Sequence, residues 1–334
     1  MSKETILVTG TAGFIGFYVA KRLLEKGFGV VGVDSFNNYY PVVLKEERNK
    51  ILCRNSDFIN VKMNLADRNG VEKLKKDFKF SRICHLAAQA GVRYSLQNPY
   101  AYEESNLTSF LNILELARHA GVQRLVYASS SSVYGGNTKM PFSEDDNVDK
   151  PISLYAATKK ANELMAHCYS HLFGFQTVGL RFFTVYGPWG RPDMAIWLFA
   201  EAIRHKQKIK VFNYGNMKRD FTFIEDIVNG VEASFFAENL DKAEVFNLGN
   251  HRSENLMDVI GIIEKEMGSV AQKEMLPIQP GDVPESFADI EKASRNLGFF
   301  PHTSIREGIP KFISWFNEHK ELTDNIRKLR DKFI

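Results

Sequence analysis

Three glycines, Gly10, Gly13 and Gly16, stand at G-x-x-G-x-x-G spacing between a short apolar run, Thr5–Val8, and a helical pattern, Phe14–Glu25. Few features restrict a chain more. Gly10 permits a sharp turn out of a strand, Gly13 lets the backbone approach a ligand, and Gly16 lets helix and strand pack closely. Phe14 and Ile15 fill the first helical turn, whose N–H groups lack intrahelical partners and point at whatever anion lies at the positive end. Three glycines can also mark an ordinary tight turn, so the context decides. A second apolar run, Gly29–Val33, ends in Asp34, about 20 residues downstream, where a carboxylate can accept both hydroxyls of a ribose. Ser35 and Phe36 follow without an arginine to receive a 2′-phosphate, which favours NAD over NADP. Asp67, in NLAD, is a candidate for the adenine amino group. Leu86, Ala87 and Ala88 would run small side chains along the cofactor.

The first half continues this alternation. Strands are expected at Phe58–Met63, Arg82–Ala87, Arg124–Ala128 and Thr177–Arg181, with helices at Asn106–Ala120 and Tyr155–Phe173. Short apolar runs alternating with amphipathic helices read as a parallel sheet covered on both faces. Right-handed crossovers would make it doubly wound. The second half is less regular, with strands at Lys210–Phe212 and Val245–Leu248 and helices at Ala195–His205, Ile224–Ala237 and Met257–Met267. At 334 residues the chain can bury a large core, roughly 75% of the surface its unfolded form would expose. We expect an NAD-binding domain over 1–180, rejoined by a segment near 220–250, and a mainly substrate-binding domain over 181–334.

The catalytic candidates sit where the fifth strand ends. Ser129–Ser132 lie in SSSSVYG, and Tyr155-x-x-x-Lys159 opens the next helix. Tyrosine and lysine one turn apart share a helix face. A lysine cation near the phenol favours the phenolate, making Tyr155 a base, and can also hold the nicotinamide ribose. A serine at the strand end would share the substrate hydroxyl's hydrogen bond. Spacing selects Ser130, with Ser132 next.

With these residues in place, the chain resembles the extended short-chain dehydrogenase/reductase family, and within it the nucleotide-sugar epimerases. TGTAGFIG, NLAD, HLAAQAGVRYS, SSSSVYG, YAATKKANE, RFFTVYGP, MKRDFTFIEDIV, FNLGN and GDVPESFAD occur in the family's order over nearly the whole chain. NNYYPVVLKEER, GVRYSLQNP and GPWGRPDMAIWLF look like the branch acting on UDP-glucuronate. The resemblance implies a Rossmann domain with a smaller C-terminal α/β domain for the nucleotide sugar. It implies Tyr155 as base, Lys159 as its partner and Ser130 as a hydrogen-bond donor. It places Arg219 on the diphosphate and Phe212, Asn213 and Asp282 around the uridine. Members commonly dimerise through two helices, here those near 106–120 and 155–173, so a homodimer is expected.

C4 epimerisation of UDP-glucuronate to UDP-galacturonate would pass through a 4-keto sugar, with NAD bound throughout as a transient hydride acceptor. That ketone is a β-keto acid and tends to lose carbon dioxide. Family dehydratases carry Asp-Glu before Val-Tyr-Gly, and decarboxylases carry a glutamate there. Ser131 and Ser132 occupy those places, and neither is an acid at neutral pH. Arg191, in GRPDM, matches the branch's carboxylate position. With Thr184 it would hold the uronate carboxylate away from the decarboxylating alignment, and Arg93 is a second cationic candidate. The rival readings are a 4-epimerase of UDP-glucose or UDP-N-acetylglucosamine, a decarboxylase or dehydratase, and a catalytically silent nucleotide-binding regulator.

Charge and composition exclude other classes. A net charge of +3 over 334 residues gives no electrostatic footprint for nucleic acid. The basic stretch Arg327–Lys332 reads as a solvated helix face. Three cysteines with no metal-ligand spacing suggest neither a metal site nor a disulfide framework, and Cys84 reads as a buried thiol. The chain shows no basic-then-apolar leader and no apolar run near the roughly 20 residues that cross a bilayer, so a cytoplasmic protein is expected.

Overall fold

A computed structural model describes residues 3–279 and 282–330. The first half alternates strand and helix as expected: β1 (Thr5–Thr9), α1 (Phe14–Glu25), β2 (Gly29–Asp34), α2 (Val42–Leu52), β3 (Phe58–Lys62), α3 (Arg68–Asp77) and β4 (Arg82–His85). Two short helices, α4 (Tyr94–Gln97) and α5 (Pro99–Tyr102), lead through a π-helical turn (Glu103–Thr108) into α6 (Ser109–Ala120). Then come β5 (Arg124–Ser130), α7 (Leu154–Phe173) and β6 (Gln176–Phe182). The rest comprises β7 (Thr184–Tyr186), α8 (Ala195–Arg204), β8 (Lys208–Val211), β9 (Lys218–Arg219), β10 (Phe221–Phe223), α9 (Ile224–Phe236) and β11 (Ala243–Leu248). It continues with β12 (Glu254–Asn255), α10 (Leu256–Met267), β13 (Gln272–Met275), β14 (Glu285–Ser286), α11 (Glu291–Leu297), α12 (Ile305–Glu318) and α13 (Lys320–Arg330).

Seven strands form one sheet in the order β11-β6-β5-β4-β1-β2-β3, every neighbouring pair parallel. Alternation along each strand sends successive side chains to opposite faces. Ile6 and Val8 join one core with α1, α2 and α9, whereas Leu7, Val31 and Val33 join another with α3, α6 and α7. Each fully buried aliphatic side chain there contributes about 1.5–3 kcal/mol. Strand order reverses between β1 and β4, which opens a crevice at their carboxyl ends where such sheets bind ligands. β11 returns late in the chain to pair with β6, placing 243–248 in the same sheet.

Several boundaries shift by a few residues, the expected strand Lys210–Phe212 running instead over Lys208–Val211, and two departures have a plain physical reason. The helix expected from Asn106 begins at Ser109, after the π turn, because Asn106 is buried and occupied elsewhere. Its side chain accepts from Gln89 N (2.8 Å) and donates to Gln89 O (3.0 Å), while its carbonyl takes Asn162 Nδ2 at 2.7 Å. A π turn at such a site accommodates one extra residue. α13 is amphipathic, but its basic end is not simply solvated: Arg330 donates to Pro192 O at 3.2 Å and pairs with Glu201. Lys332 lies outside the described residues. Cys84 is buried, and burial pushes its thiol well up; Cys53 and Cys168 are exposed and free.

Candidate active site

The glycine loop is a cradle that a side chain would fill. A Cβ on Gly16 would stand 2.1 Å from Gly10 O, and one on Gly13 would stand 2.9 Å from the same oxygen. Gly10, at φ +76°, would bring its Cβ to 2.8 Å from Ala87 N. The β1 loop and the β4 loop therefore touch backbone to backbone, and Thr9 fixes them by accepting from Leu86 N and Ala87 N at 3.2 and 3.1 Å. The Thr11 hydroxyl is buried beside this turn with no hydrogen-bond partner among the described residues. Phe14 contributes only backbone here, since its ring belongs to the core. Asp34, buried at the end of β2, accepts from Ala12 N (3.0 Å) and Phe36 N (2.8 Å). Its carboxylate is thus held at the lip of a pocket lined by Ser35, Met63, Asn64, Leu65, Ala87 and Ala88. A glycine loop running into a helix N-terminus, an orphaned hydroxyl and a fixed carboxylate suit the pyrophosphate and ribose of NAD.

Asp67 is not part of that pocket. It caps α3, accepting from Asn69 N at 3.0 Å, and the residues facing the pocket are Met63, Asn64 and Leu65. An aspartate just before a helix is a strong N-cap, and that preference decides its place. Of the NLAD residues, Asn64 and Leu65 line the pocket.

At the end of β5, Ser130 is the serine near enough to Tyr155 to pull its phenol down. Ser130 also bonds Ser132, Oγ to Oγ at 3.2 Å, and accepts from Ser132 N at 3.2 Å. Ser129 points the other way, donating to Glu163 Oε1 at 2.6 Å. The helix that carries Tyr155 starts on a cap, Ser153 accepting from Ala156 N, and ends at Gly174 in the left-handed region. Burial pushes the Tyr155 phenol above its ordinary value, and the Ser130 hydrogen bond and the Arg191 charge pull it back down.

Lys159 donates its ammonium to Ala128 O at 3.1 Å and so ties α7 to β5. Burial lowers its pKa to about 8. The neighbouring His85, bonded to Thr9 Oγ1 at 2.9 Å, is pushed down to about 3 by burial and by Lys159, and stays neutral.

Beyond Tyr155 the site is walled by aromatics that the sequence reading did not assign. Tyr102 stands edge-on to Tyr155 at 6.0 Å, Tyr94 lies 6.1 Å from Tyr102, and Tyr39 lies 4.8 Å from Tyr94. Arg191 sits over Tyr39 at 5.8 Å and is paired with Asp193, Nε to Oδ1 at 3.0 Å and Nη2 to Oδ2 at 2.5 Å. Thr184 opens β7, its N–H on Asp220 O at 3.1 Å. Arg48, on α2, is fully buried and gives its guanidinium to three backbone oxygens, Ala12 (2.8 Å), Trp189 (2.6 Å) and Gly190 (3.0 Å), and to Tyr40 Oη (2.9 Å). It staples the glycine loop to the loop that presents Arg191. NNYYPVVLKEER holds Tyr39, Tyr40 and Arg48, so the signal was in a quoted stretch whose individual roles only three-dimensional packing reveals.

The remaining candidates cluster elsewhere. Arg93 lies over the Phe212 ring at 5.2 Å and 3.6 Å from Asp282, so its contacts are with the uridine candidates and not with Arg191 and its partners. Arg219, on β9, donates to Lys218 O and Pro284 O at 2.9 and 3.1 Å. Asn213 adopts φ +50° and donates to Asn216 O at 2.7 Å.

Comparison with known proteins agrees with this geometry. Residues 6–249 match the model of the NAD dependent epimerase/dehydratase family. A UDP-glucuronate 4-epimerase of Arabidopsis thaliana is 46% identical over 336 residues, covering 93% of this chain and 75% of the longer relative. The crystal structure of UDP-glucuronic acid 4-epimerase from Bacillus cereus, in complex with UDP-glucuronic acid and NAD, superposes with a TM-score of 0.89 at 34% identity, over 94% of this chain and 99% of that one. UDP-glucose 4-epimerase from Thermotoga maritima, with UDP-glucose, gives 0.87 at 28% identity, over 95% and 99%.

Proposed function

Because this chain belongs to the NAD-dependent epimerase/dehydratase family, we propose that it interconverts UDP-glucuronate and UDP-galacturonate by epimerisation at C4. The reading is carried by one observation: the aromatic wall that starts on Tyr155 runs through Tyr102, Tyr94 and Tyr39 to Arg191, and the turn after β5 holds serines and no carboxylic acid. A cation beside the reacting centre suits a substrate carboxylate, and Ser131 and Ser132 cannot supply the acid of a dehydratase or decarboxylase.

The Gly10–Gly16 loop and Asp34 would hold NAD, which would supply reversible hydride acceptance at C4. The chain's own residues do the rest. Tyr155 takes the proton of the 4-hydroxyl and returns it after the ring has turned. Ser130, beside the phenol, shares the hydroxyl's hydrogen bond and keeps it aligned. Lys159, fixed on Ala128 O, presents a cation beside the nicotinamide ribose. Arg191 and Thr184 hold the carboxylate so that its bond to the ring stays misaligned with the ketone. Arg219 grips the diphosphate, where a planar guanidinium can meet two oxygens, and Phe212, Asn213, Asp282 and Arg93 surround the uridine. On this reading residues 1–180, with the return near 220–250, carry the cofactor, and most of 181–334 carries the nucleotide sugar.

We also read the chain as a cytoplasmic homodimer. α6 and α7 leave Leu111, Leu164, Leu172 and Phe173 exposed, an apolar face that a second copy would cover. Among the described residues no helix is long and apolar enough to cross a membrane. Leu164→Glu with Leu172→Glu should convert the dimer to monomer in sedimentation; an unchanged mass would exclude this face as the interface.

The function itself is tested by proton NMR of purified protein with UDP-glucuronate and no added cofactor. Growth of UDP-galacturonate to a constant ratio, without accumulation of NADH, is the expected result. Release of carbon dioxide with a pentose product would overturn the serine argument. Inertness toward UDP-glucuronate combined with turnover of UDP-glucose or UDP-N-acetylglucosamine would make it a neutral-sugar epimerase.

A further inference from the structure

The arginine expected to meet the uronate is not a bare cation. Asp193, two residues along the same loop, takes the Nε edge of Arg191, and Tyr39 Oη donates to the same carboxylate at 3.1 Å. Tyr39 reaches this point from the β2–α2 loop. It can do so because Gly91, at φ +109°, has no side chain: a Cβ there would lie 3.0 Å from the Tyr39 hydroxyl. Three loops thus converge to hold one carboxylate against one guanidinium. Both partners are ionised. Burial works against the Asp193 carboxylate, but Arg191 and Tyr39 hold it below the usual range, and Asp193 keeps Arg191 fully protonated against burial. The remaining hydrogens, on Nη1 and the outer side of Nη2, are left for a ligand.

The reaction sets two conflicting demands on such a cation. It must bind a carboxylate strongly enough to select a uronate. It must also let go, because the 4-keto ring has to turn over between the two hydride transfers, and the carboxylate on C5 travels with the ring. A half-buried arginine without a counter-ion would resist release, since leaving it unpaired costs the full desolvation penalty. With Asp193 in place the guanidinium is never unpaired, and the ligand carboxylate meets a pair of zero net charge.

Building on the assignment of Arg191 to the uronate carboxylate, we propose that Asp193, steadied by Tyr39, is the internal counter-ion that makes this grip reversible and so permits the ring to turn. It is a positioning residue that tunes specificity and turnover in opposite directions. No covalent step is added: the hydride leaves C4 and returns to the opposite face of that carbon, while the proton leaves the 4-hydroxyl oxygen to Tyr155 and returns to the same oxygen.

The test uses holoenzyme carrying Asp193→Asn, which keeps the shape and removes the charge. Binding of UDP-glucuronate should tighten by about tenfold, with kcat falling by a similar factor, because an unopposed cation holds the carboxylate on one face. Binding of UDP-glucose, neutral at C6, should change by less than about twofold, which also shows that the site is folded. Near-ultraviolet absorbance of reduced nicotinamide should rise in the steady state, since the ketone now waits before it turns; a purely structural loss would not produce this. Unchanged affinity and kcat, or equal changes for both nucleotide sugars, would overturn the proposal. Arg191→Ala separates it from the reading beneath it. If that variant weakens UDP-glucuronate alone while Asp193→Asn is silent, only the counter-ion idea fails. If Arg191→Ala affects both sugars alike, the carboxylate assignment fails with it.

Discussion

Tyr155→Phe is expected to lower kcat for UDP-glucuronate by on the order of 10³-fold, about 4 kcal/mol of barrier, because it deletes the proton acceptor for the 4-hydroxyl. The ring that packs edge-on against Tyr102 remains, so the fold and nucleotide-sugar affinity should stay near those of the wild type. The pH profile sharpens the prediction. Burial raises the phenol above its ordinary value, so at neutral pH it is protonated in the free enzyme and the active base is the minor form. The sign follows: kcat/KM, which reports the free enzyme, should climb with pH through the neutral range. The climb should bend near 8, where Lys159, its pKa lowered to about 8 by burial, loses its charge. In the Phe variant the residual rate should lack the rising limb. A loss of less than tenfold, or a rising limb that survives the substitution, would remove Tyr155 from the role of base.

The parts of this arrangement that were legible in the sequence are those where local chemistry and global fold agree. Gly10, Gly13 and Gly16 sit where any Cβ would strike backbone, so their spacing announces the cradle directly. α1 runs over the expected Phe14–Glu25 because an apolar stripe, a glycine start and the sheet beneath it all demand the same helix. α2 went unread for the opposite reason. Its inward face carries Lys45 and Arg48, both buried, so the apolar period that marks a helix is broken where the site needs cations. α3 buries only Val71 and Leu74, too few for a clear period. Asp67 shows a near miss: NLAD holds both the pocket residue and the helix cap, and only the start of α3 at Arg68 says which is which. β5 extends to Ser130, two residues beyond its apolar run, because polar serines at a strand's carboxyl end look like loop until the ladder with β6 is seen. Asp193 was invisible as a partner of Arg191, since the two lie in a loop around Pro192, where no regular helix or strand period says which way each side chain turns.

Glu163→Ala should be the most destabilising single change near the site. Glu163 lies on α7 eight residues beyond Tyr155, on the stripe that continues through Lys159 and turns toward the sheet. It forms a two-pronged pair with Arg181 of β6, Nε–Oε1 at 2.8 Å and Nη2–Oε2 at 2.9 Å, with both side chains almost fully buried. Arg181 continues to Tyr134 Oη at 3.0 Å, and Tyr134 donates to Asn247 Oδ1 at 2.6 Å, so one chain of bonds runs from α7 across β6 to β11. Replacing both ions with apolar side chains can be nearly neutral, but removing one strands a buried charge at a cost of about 3–5 kcal/mol. For a chain of this length that lowers the first unfolding transition by roughly 6 °C. Activity should fall further than stability alone explains, because Ser129 loses its acceptor and the adjacent Ser130 loses its fixed angle to Tyr155. Glu163→Leu combined with Arg181→Met should recover most of the lost stability while leaving kcat low, since the charge is no longer stranded but the serine turn is still unanchored. If the double variant is no more stable than Glu163→Ala, the penalty lies in packing and the stranded-charge account is wrong. If kcat recovers along with stability, the network holds the fold without aiming the serine.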